Sequence, residues 1–420
     1  MSLRNRELAN LIVVGALTAI GFASVYIARQ AVVSTGSLAY AGFFFALYLA
    51  AHLVGRLTVP NADPYLLPMA ALLTAVGLTE IYRLDPTDAF RQGLWIVVAV
   101  GALAATLFFL HRDYRRLESY KYLFGLGSIV LLVLPALPVI GQEVNGARLW
   151  IHFGSLQFQP GELAKVLLIV FLAGYLREKR EVLAQGRLKD FGPLLVIWGG
   201  AMLVLVETND LGSALLYFGI FLSMLYVATG RLTYILIGAV LFVGGAAAAY
   251  KLISHVRTRV EIWLDPWPHI HTSGYQITQS LYSISNGGFG GAGLGKGTFT
   301  TTGGATLIPS ANTDFIYSAI AQELGLIGAA ALLLVFMLFI ARGMKVAMLA
   351  DDGFSKLLAA GLTFSFALQT FIIVGGILRM IPLTGVTLPF VSYGGSSVVA
   401  NFVLLGGLLL ISNRSNAVGR

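Results

Sequence analysis

The sequence predicts an all-α polytopic membrane protein with about twelve transmembrane helices and one large extracytoplasmic loop. Three observations support this fold class. Of 420 residues, 57% are hydrophobic and only 11% are charged, a composition that does not suit a water-solvated surface. Apolar runs of about 20 residues, the length that crosses a bilayer, recur along the chain. One polar, glycine-rich stretch of about 60 residues separates two of these runs.

The spans follow one another with short connections except at that stretch. They are predicted near residues 9–28, 38–57, 65–82, 93–110, 120–141, 161–176, 192–207, 211–229, 232–253, 316–341, 356–378 and 389–411. The 48 glycines suit close helix packing in lipid, where small residues let backbones approach. The absence of cysteine from the sequence excludes disulfides, thiolate metal sites and cysteine nucleophiles.

The distribution of Lys and Arg predicts the orientation in the membrane. When these residues are assigned to alternate sides of the spans, about twice as many fall on the side of both termini. That set includes the clusters Arg112–Arg116 and Arg177–Arg180, and Arg187, Lys189 and Arg420. Cytoplasmic loops carry such an excess, so both termini are expected in the cytoplasm, and the glycine-rich loop and the shorter loop 142–160 face outward. Topology therefore accounts for the net charge of +8, which does not indicate a nucleic-acid partner.

Asp314 lies where the glycine-rich loop enters the next apolar run. Asn, Thr and Asp are preferred N-cap residues and a carboxylate suits the helix dipole, so capping is one interpretation. A functional carboxylate at the outer mouth of the bundle is the other. Asp210 meets the same test, and a cap is favoured there.

Glu162 and Lys165 stand three residues apart at the start of a predicted helix and hence on one face. Because ionisable groups inside a bundle need partners, they are expected to form an internal ion pair. Lys165 could also contribute positive charge to a nearby phosphate site, and the two interpretations are compatible. Glu323 falls on the opposite helix face from Asp314 and about 13 Å deeper, so it is expected to join an ion pair or hydrogen bond inside the bundle.

Several cations occupy the outer loops against the positive-inside bias. They are Arg148, Arg257, Arg259, Lys296 and Arg379. Exposed charges are usually solvated, but their grouping on one side favours binding of an anionic ligand.

Ordered motifs in the chain resemble the shape, elongation, division and sporulation family of membrane glycosyltransferases, the FtsW/RodA/SpoVE group. The matching segments are Asn145–Ile151, Phe158–Lys165, Asp265–Pro266, Gly274–Leu281, Gly287–Gly297, Thr313–Tyr317, Glu323–Gly325 and Ile381–Ser397. The resemblance implies a ten-helix core over residues 61–420, with the outer loop 254–314, and two additional N-terminal helices within residues 1–60.

What this resemblance implies is polymerisation of lipid II, an undecaprenyl-pyrophosphate-linked disaccharide pentapeptide, by β-1,4 glycosyl transfer on the outer face of the bacterial cytoplasmic membrane, in division or elongation. It gives Asp314 the role of general base towards the attacking sugar hydroxyl. The expected substrate-binding residues are Arg148, Lys165, Glu162, Lys296, Gln279 and Ser396. A glycine-rich loop lets backbone N–H groups approach phosphates, and a divalent cation, Mg or Mn, could share the neutralisation of pyrophosphate. The expected protein partner is a class B penicillin-binding protein.

Two other functions fit parts of the same pattern. A lipid II flippase or transporter is also a bundle with broken, Gly- and Pro-rich segments, but it needs its ionisable site near the midplane, whereas Asp314 is predicted at the outer mouth. A scaffold that recruits a penicillin-binding protein would tolerate the loss of Asp314 without loss of polymer.

Overall fold

A computed structural model describes residues 2–30, 35–137, 140–144, 147–153, 156–185, 192–299 and 307–418. Some residues used in the sequence predictions lie outside these ranges. They are Asn145, Gly146, Arg187, Lys189 and Arg420.

Helices make up most of the described chain. They are α1 (Leu3–Gln30), α2 (Thr35–Thr58), α3 (Leu66–Leu84), α4 (Pro86–Leu110), α5 (Arg116–Ser119), α6 (Lys121–Val133), α7 (Pro160–Glu178), α8 (Arg180–Ala184), α9 (Gly192–Glu207), α10 (Leu211–Thr229), α11 (Leu232–Leu252), α12 (Ser254–Leu264), α13 (Tyr275–Gly287), α14 (Ile316–Leu349), α15 (Gly353–Ile377) and α16 (Gly395–Val418). Each predicted span coincides with one of these helices, which confirms a helical, multi-pass membrane protein.

Fewer helices meet the length and hydropathy of a membrane span than the sequence predicts. Within the described ranges, 9 helices are long and apolar enough to cross a membrane. At the other predicted spans, α6 and α9 are shorter, with 13 and 16 residues, and α7 carries Glu162, Lys165, Arg177 and Glu178. A count of about twelve therefore stays a prediction.

The first outer loop folds into a three-stranded antiparallel sheet with the order β1-β2-β3, which the sequence analysis did not anticipate. The strands are β1 (Gly141–Val144), β2 (Ala147–Phe153) and β3 (Leu156–Phe158). Gly141 pairs with Ile151, and Ile151 pairs in turn with Phe158. The sheet thus delivers the chain directly into α7, whose first residue is Pro160, a residue suited to the first helical position.

The large outer loop contains two helices, α12 and α13, within its described part. A 3₁₀ turn at Trp267–His269 follows α12, and α13 then packs against the start of α14. Inside that contact, the hydroxyls of Ser280 and Ser318 lie 2.5 Å apart. This pairing satisfies two buried polar groups that would otherwise be costly.

Helix α14 is broken at Gly325, where φ is 66° and ψ is −169°. The glycine-rich loop supplies backbone partners for the break: Leu326 N donates to Gly288 O at 3.0 Å, and Gly293 N donates to Glu323 O at 2.9 Å. A broken helix in a membrane bundle requires such replacement partners. A side chain at Gly325 would bring Cβ within 2.3 Å of Gly291 N, so the close approach requires glycine.

The N-terminal pair α1–α2 packs on the core through α1 against α3 and through α2 against α4. A buried cluster ties the pair together. Arg4 Nη1 lies 2.6 Å from Glu7 Oε2, and His52 Nδ1 lies 2.7 Å from Glu7 Oε1. Arg4 Nη2 also donates to Ala62 O at 2.5 Å, which connects this cluster to the segment before α3.

Candidate active site

A cavity of about 850 Å³ lies where the first outer sheet, the starts of α4, α7 and α10, helix α12 and the segment before α16 meet. Its walls include residues from all these elements, among them Trp150 on β2 and Tyr393 before α16. The volume suits a ligand of considerable size. Of the predicted site residues, Asp314 and Glu162 line this cavity.

Asp314 does not cap the helix that follows it. The N-cap residue of α14 is Phe315, and no side chain makes a capping hydrogen bond there. The backbone N–H of Asp314 donates to Ser310 O at 3.1 Å, so the residue belongs to a turn that ends at the helix. The carboxylate is left for the cavity, and capping, one of the two interpretations from sequence, is wrong.

The environment of Asp314 moves its titration towards neutral pH. Burial raises the pKa of Asp314 to about 6, while Arg259 and the Thr313 hydroxyl oppose the rise. A carboxyl with a pKa near 6 is mostly ionised at pH 7 yet still basic enough to accept a proton, which is the condition for an efficient general base.

Arg259 on α12 supplies a positive charge that acts on that carboxylate. Its Nη1 donates to Thr384 O at 3.0 Å, which fixes the guanidinium in the cavity wall. Burial lowers the pKa of Arg259, and Asp314 and Asp210 raise it. An arginine remains charged under all such conditions.

The other outer cations considered from the sequence are placed elsewhere. Among these five described residues, Arg259 alone lines the cavity. Arg379 donates to Trp263 O and Leu264 O at 2.9 and 2.8 Å and so fastens α12 to the segment after α15. Arg148 is exposed on β2, and Lys296 is exposed in the glycine-rich loop. The gathering of all five around one ligand is therefore not seen.

Glu162 and Lys165 form the predicted ion pair. Lys165 Nζ lies 2.9 Å from Glu162 Oε2 and 2.6 Å from Gln369 Oε1. Gln369 in turn donates through Nε2 to Thr387 O at 3.0 Å. Lys165 is 2% exposed and lies behind the wall, whereas Glu162 and Thr387 line the cavity. Lys165 thus holds two parts of the wall in place.

The segment before α16 holds the Asp314 loop by hydrogen bonds. Ser392 Oγ donates to Thr313 O at 2.6 Å and accepts from Leu388 N at 2.9 Å. Tyr393 N donates to Asn312 O at 2.8 Å. Asp314 is therefore flanked on its N-terminal side by residues whose carbonyl groups are fixed.

Ser396 and Gln279, two predicted substrate-binding residues, do not line the cavity. The buried hydroxyl of Ser396 accepts from Gln159 N at 2.6 Å, and this bond joins the start of α16 to the start of α7. Gln279 lies on α13, where its carbonyl accepts from Ser283 Oγ at 2.8 Å. Ser396 thus acts on the cavity through Gln159, which is in the wall.

The amides of the glycine-rich loop are already used by protein acceptors. Gly295 N and Gly297 N donate to the Glu323 carboxylate at 2.7 and 3.1 Å. The Glu323 Oε1 atom also lies 2.5 Å from Arg83 Nε. Glu323 is thus the interior ion-pair member predicted from sequence, and the loop's amides serve the fold here rather than an open phosphate cradle.

The cavity's other carboxylates have structural partners. Asp210 caps α10 by accepting from Ser213 N at 3.0 Å, as the sequence predicted, and Asp88 accepts from Asn312 Nδ2 at 2.7 Å. Burial raises the pKa of Asp210, and its bonds to Ser213 oppose this. In the part of the chain that the structure describes, no three His, Asp or Glu side chains form a group that could hold a metal ion. The described residues therefore offer no three-ligand protein cage for Mg or Mn.

Sequence reasoning named Arg259 only as one of five outer cations, and it did not name Asp88 or Arg91. All three line the cavity, and Arg91 Nη1 lies 3.5 Å from Asp88 Oδ1. No local pattern marks them, because their proximity to Asp314 arises only from tertiary packing.

Comparison with known proteins places this chain among cell-wall enzymes of similar fold. The family model FtsW/RodA/SpoVE, described as "Cell cycle protein", matches residues 63–417. The peptidoglycan glycosyltransferase RodA of Mycobacterium tuberculosis is 41% identical, over 98% of this chain and 90% of the relative. A probable peptidoglycan glycosyltransferase FtsW of Geobacter metallireducens is 34% identical, over 85% of this chain and 96% of the relative.

Two solved structures share the fold. A chain from a study of the structural coordination of polymerization and crosslinking by a peptidoglycan synthase complex superposes with a TM-score of 0.69 at 28% identity, covering 84% of this chain and 98% of the other. The rod shape determining protein RodA of Thermus thermophilus gives a TM-score of 0.61 at 28% identity, with coverages of 84% and 96%.

Proposed function

The chain belongs to the FtsW/RodA/SpoVE family and is a peptidoglycan glycosyltransferase, and we propose that it polymerises lipid II with Asp314 as the general base. The single observation that carries this assignment is a carboxylate freed from helix capping, aimed at a large cavity, with a pKa of about 6.

The proposed reaction joins two lipid-linked disaccharides. Asp314 accepts the proton of the 4-hydroxyl of the acceptor GlcNAc while that oxygen attacks the anomeric carbon of the donor. The bond from the anomeric carbon to the pyrophosphate oxygen breaks, and its electron pair leaves with the undecaprenyl pyrophosphate. Attack from the face opposite the leaving group inverts the anomeric carbon and yields the β-1,4 link.

Arg259 is the first choice for stabilising the charge that develops on the pyrophosphate. It lies in the cavity wall with one N–H held by Thr384 O, and a guanidinium offers further donors in a fork that matches phosphate oxygens. A preorganised cation in a site shielded from water stabilises such a transition state strongly. Arg91, 53% exposed at the same cavity, is the second candidate.

We assign the remaining predicted residues to two places, the cavity wall with its support and the surface outside the cavity. Glu162 contacts substrate from the wall, and Lys165 and Ser396 are positioning residues, since their contacts run through Glu162, Gln369 and Gln159. Arg148 and Lys296, both exposed, and Gln279 are proposed to meet parts of the long substrate outside the cavity.

The proposed topology puts the cavity on the outer face of the cytoplasmic membrane, with both termini in the cytoplasm. The uneven distribution of Lys and Arg supports it. The proposed partner is a class B penicillin-binding protein, because the superposable chain comes from a complex that joins polymerization with crosslinking.

The test is polymerisation of labelled lipid II by the purified full-length chain together with its penicillin-binding protein. Wild type is compared with Asp314→Asn and with Glu261→Gln, which removes an exposed carboxylate from α12. We expect glycan strands from wild type and from Glu261→Gln and none from a folded Asp314→Asn. Equal polymer from Asp314→Asn would refute the base and favour a scaffold. No polymer from wild type, with substrate instead moving across vesicle membranes, would favour a flippase.

A further inference from the structure

A second large cavity, of about 670 Å³, lies at the opposite end of the bundle from Asp314. Its walls come from the start of α1, the segment before α3, the end of α14 and the end of α16. Helix α14 begins next to Asp314 and ends at this cavity. Helix α3 begins at this cavity and ends close to the first turn of α4, which carries Asp88 of the active-site wall. Since a span has its ends on opposite sides of the bilayer, the two cavities face opposite leaflets.

Cations dominate the polar part of this second cavity. Arg342 is held by a cation–π contact of 4.3 Å to the Tyr65 ring and by an ion pair of 3.3 Å to Asp63 Oδ2. Arg6 and Lys345 are exposed in the same wall. Their side chains have no ion pair or hydrogen bond with any described residue.

The cavity's two acids are already neutralised. Asp63 pairs with Arg342, and Asp351 Oδ2 lies 3.8 Å from Arg414 Nε. The charges of Arg6 and Lys345 are therefore left uncompensated on one side of an open cavity, an arrangement that attracts an anion.

The other side of the cavity is apolar and lies at the start of α1 and the end of α14. Leu3, Val346 and Leu349 contribute to it, and Leu349 is 51% exposed. A soluble anion would gain nothing from these side chains, whereas an acyl chain would bury them. The combination of uncompensated cations and an apolar wall selects an amphipathic anion.

We propose that this cavity binds an anionic phospholipid, with its phosphate between Arg6 and Lys345 and an acyl chain along Leu349 and Leu3. Its assignment to the inner leaflet rests on the outward orientation proposed for the active site. Because Leu3 and Arg6 belong to α1, which precedes the matched family range beginning at residue 63, the lipid bridges the N-terminal pair and the core.

A nearby group of cations offers a matched control. Arg115 and Arg116 lie on the same side of the membrane by the charge pattern and line a smaller cavity of about 250 Å³. Both point to Asp113, at 3.3 and 3.9 Å. Replacing them removes the same charge as replacing Arg6 and Lys345, but from positions that are already paired.

The experiment is native mass spectrometry of the full-length chain, delipidated in neutral detergent and titrated with phosphatidylglycerol or with phosphatidylcholine of the same acyl chains. Wild type is compared with Arg6→Gln/Lys345→Gln and with Arg115→Gln/Arg116→Gln. We expect one phosphatidylglycerol bound in preference to phosphatidylcholine. Loss of each cation should weaken binding about fivefold, hence about 25-fold for Arg6→Gln/Lys345→Gln, while the control binds as wild type does.

Equal affinity for both lipids, or unchanged binding by Arg6→Gln/Lys345→Gln, would overturn the proposal. Displacement of the lipid by inorganic phosphate at low concentration would also do so, because the site would then recognise the free anion. Both replaced residues are exposed, and a melting curve checks that each variant is folded. Binding is read without lipid II, so this result is independent of whether the chain polymerises.

Discussion

Replacement of Asp314 by Asn should abolish polymerisation and at the same time stabilise the protein. Asn keeps the shape of the side chain and removes the charge. The pKa of Asp314 is raised from 3.8 to about 6 by burial, so the folded state holds the proton more tightly than the unfolded state. Folding stability therefore falls as pH rises from 3.8 to about 6 and stays reduced above that range.

The size of the effect follows from the shift. A difference of about two pKa units corresponds to at most about 3 kcal/mol of lost stability at pH 7. Asn pays no such cost, so Asp314→Asn should melt several degrees above wild type at pH 7. The difference should shrink to about a third of this free energy near pH 4.5, where the unfolded carboxyl begins to take up its proton.

The assay is a set of thermal melts of both proteins in detergent between pH 4.5 and 8, with polymerisation measured on the same samples. Glu261→Gln, on the exposed surface of α12, controls for the loss of one negative charge. A variant that melts below wild type at pH 7, or a melting difference that does not change with pH, would show that Asp314 is not held as a desolvated anion. Retained polymerisation would refute its role as base.

Three further changes test the cavity wall, the ion pair behind it and the break in α14. Arg259→Gln should lower kcat/KM by about 10²- to 10³-fold. Because Arg259 lowers the pKa of Asp314, this change should also move the acid limb of the pH–rate profile to higher pH. Arg257, whose guanidinium donates to Lys251 O, is the control, and Arg257→Gln should leave the profile in place. Lys165→Met leaves Glu162 unpaired and should cost about 3–5 kcal/mol of stability. In melting curves, the double variant Lys165→Met/Glu162→Gln should recover much of this loss. Equal melting temperatures of the single and double variants would contradict the pairing. Gly325→Ala should destabilise the protein by more than about 3 kcal/mol, because the Cβ of alanine would meet the backbone of the glycine-rich loop. The loss should appear as a lower melting temperature or as failure to fold. A melting temperature equal to that of wild type would show that the loop does not pack there.

Hydropathy alone located the helices because membrane crossing is a local requirement. About 20 apolar residues in a row satisfy it whatever their neighbours do. The same reasoning failed for the sheet formed by β1, β2 and β3. These strands have at most 7 residues and are stabilised by pairing with one another, so no requirement of the membrane marks them in the sequence. Glu162 and Lys165 were paired correctly because residues three apart on a helix meet locally.

Local sequence could not decide between a cap and a base at Asp314, and it could not select Arg259. Whether Asp314 caps α14 depends on the turn that begins at Ser310 and on the bonds from Ser392 and Tyr393. Arg259 lies in the same cavity wall as Asp314 because α12 is bound to the segment after α15 through Arg379, Trp263 and Arg259 itself. Such contacts between distant parts of the chain leave no period or spacing in the sequence.

The break at Gly325 gives a reason why the loop that carries Asp314 is fastened so extensively from outside its own helix. An unbroken α14 would fix the position of Asp314 through continuous helical hydrogen bonds, but the break separates the first turns from the long inner segment. The glycine-rich loop and the Glu323–Arg83 pair secure those first turns on one side, and Ser392 and Tyr393 secure the preceding turn on the other. A catalytic group must be held to within about 0.5 Å by the residues behind it. The glycine-rich loop and the residues before α16, two of the segments whose motifs resemble the family's, therefore support the position of Asp314 in the fold.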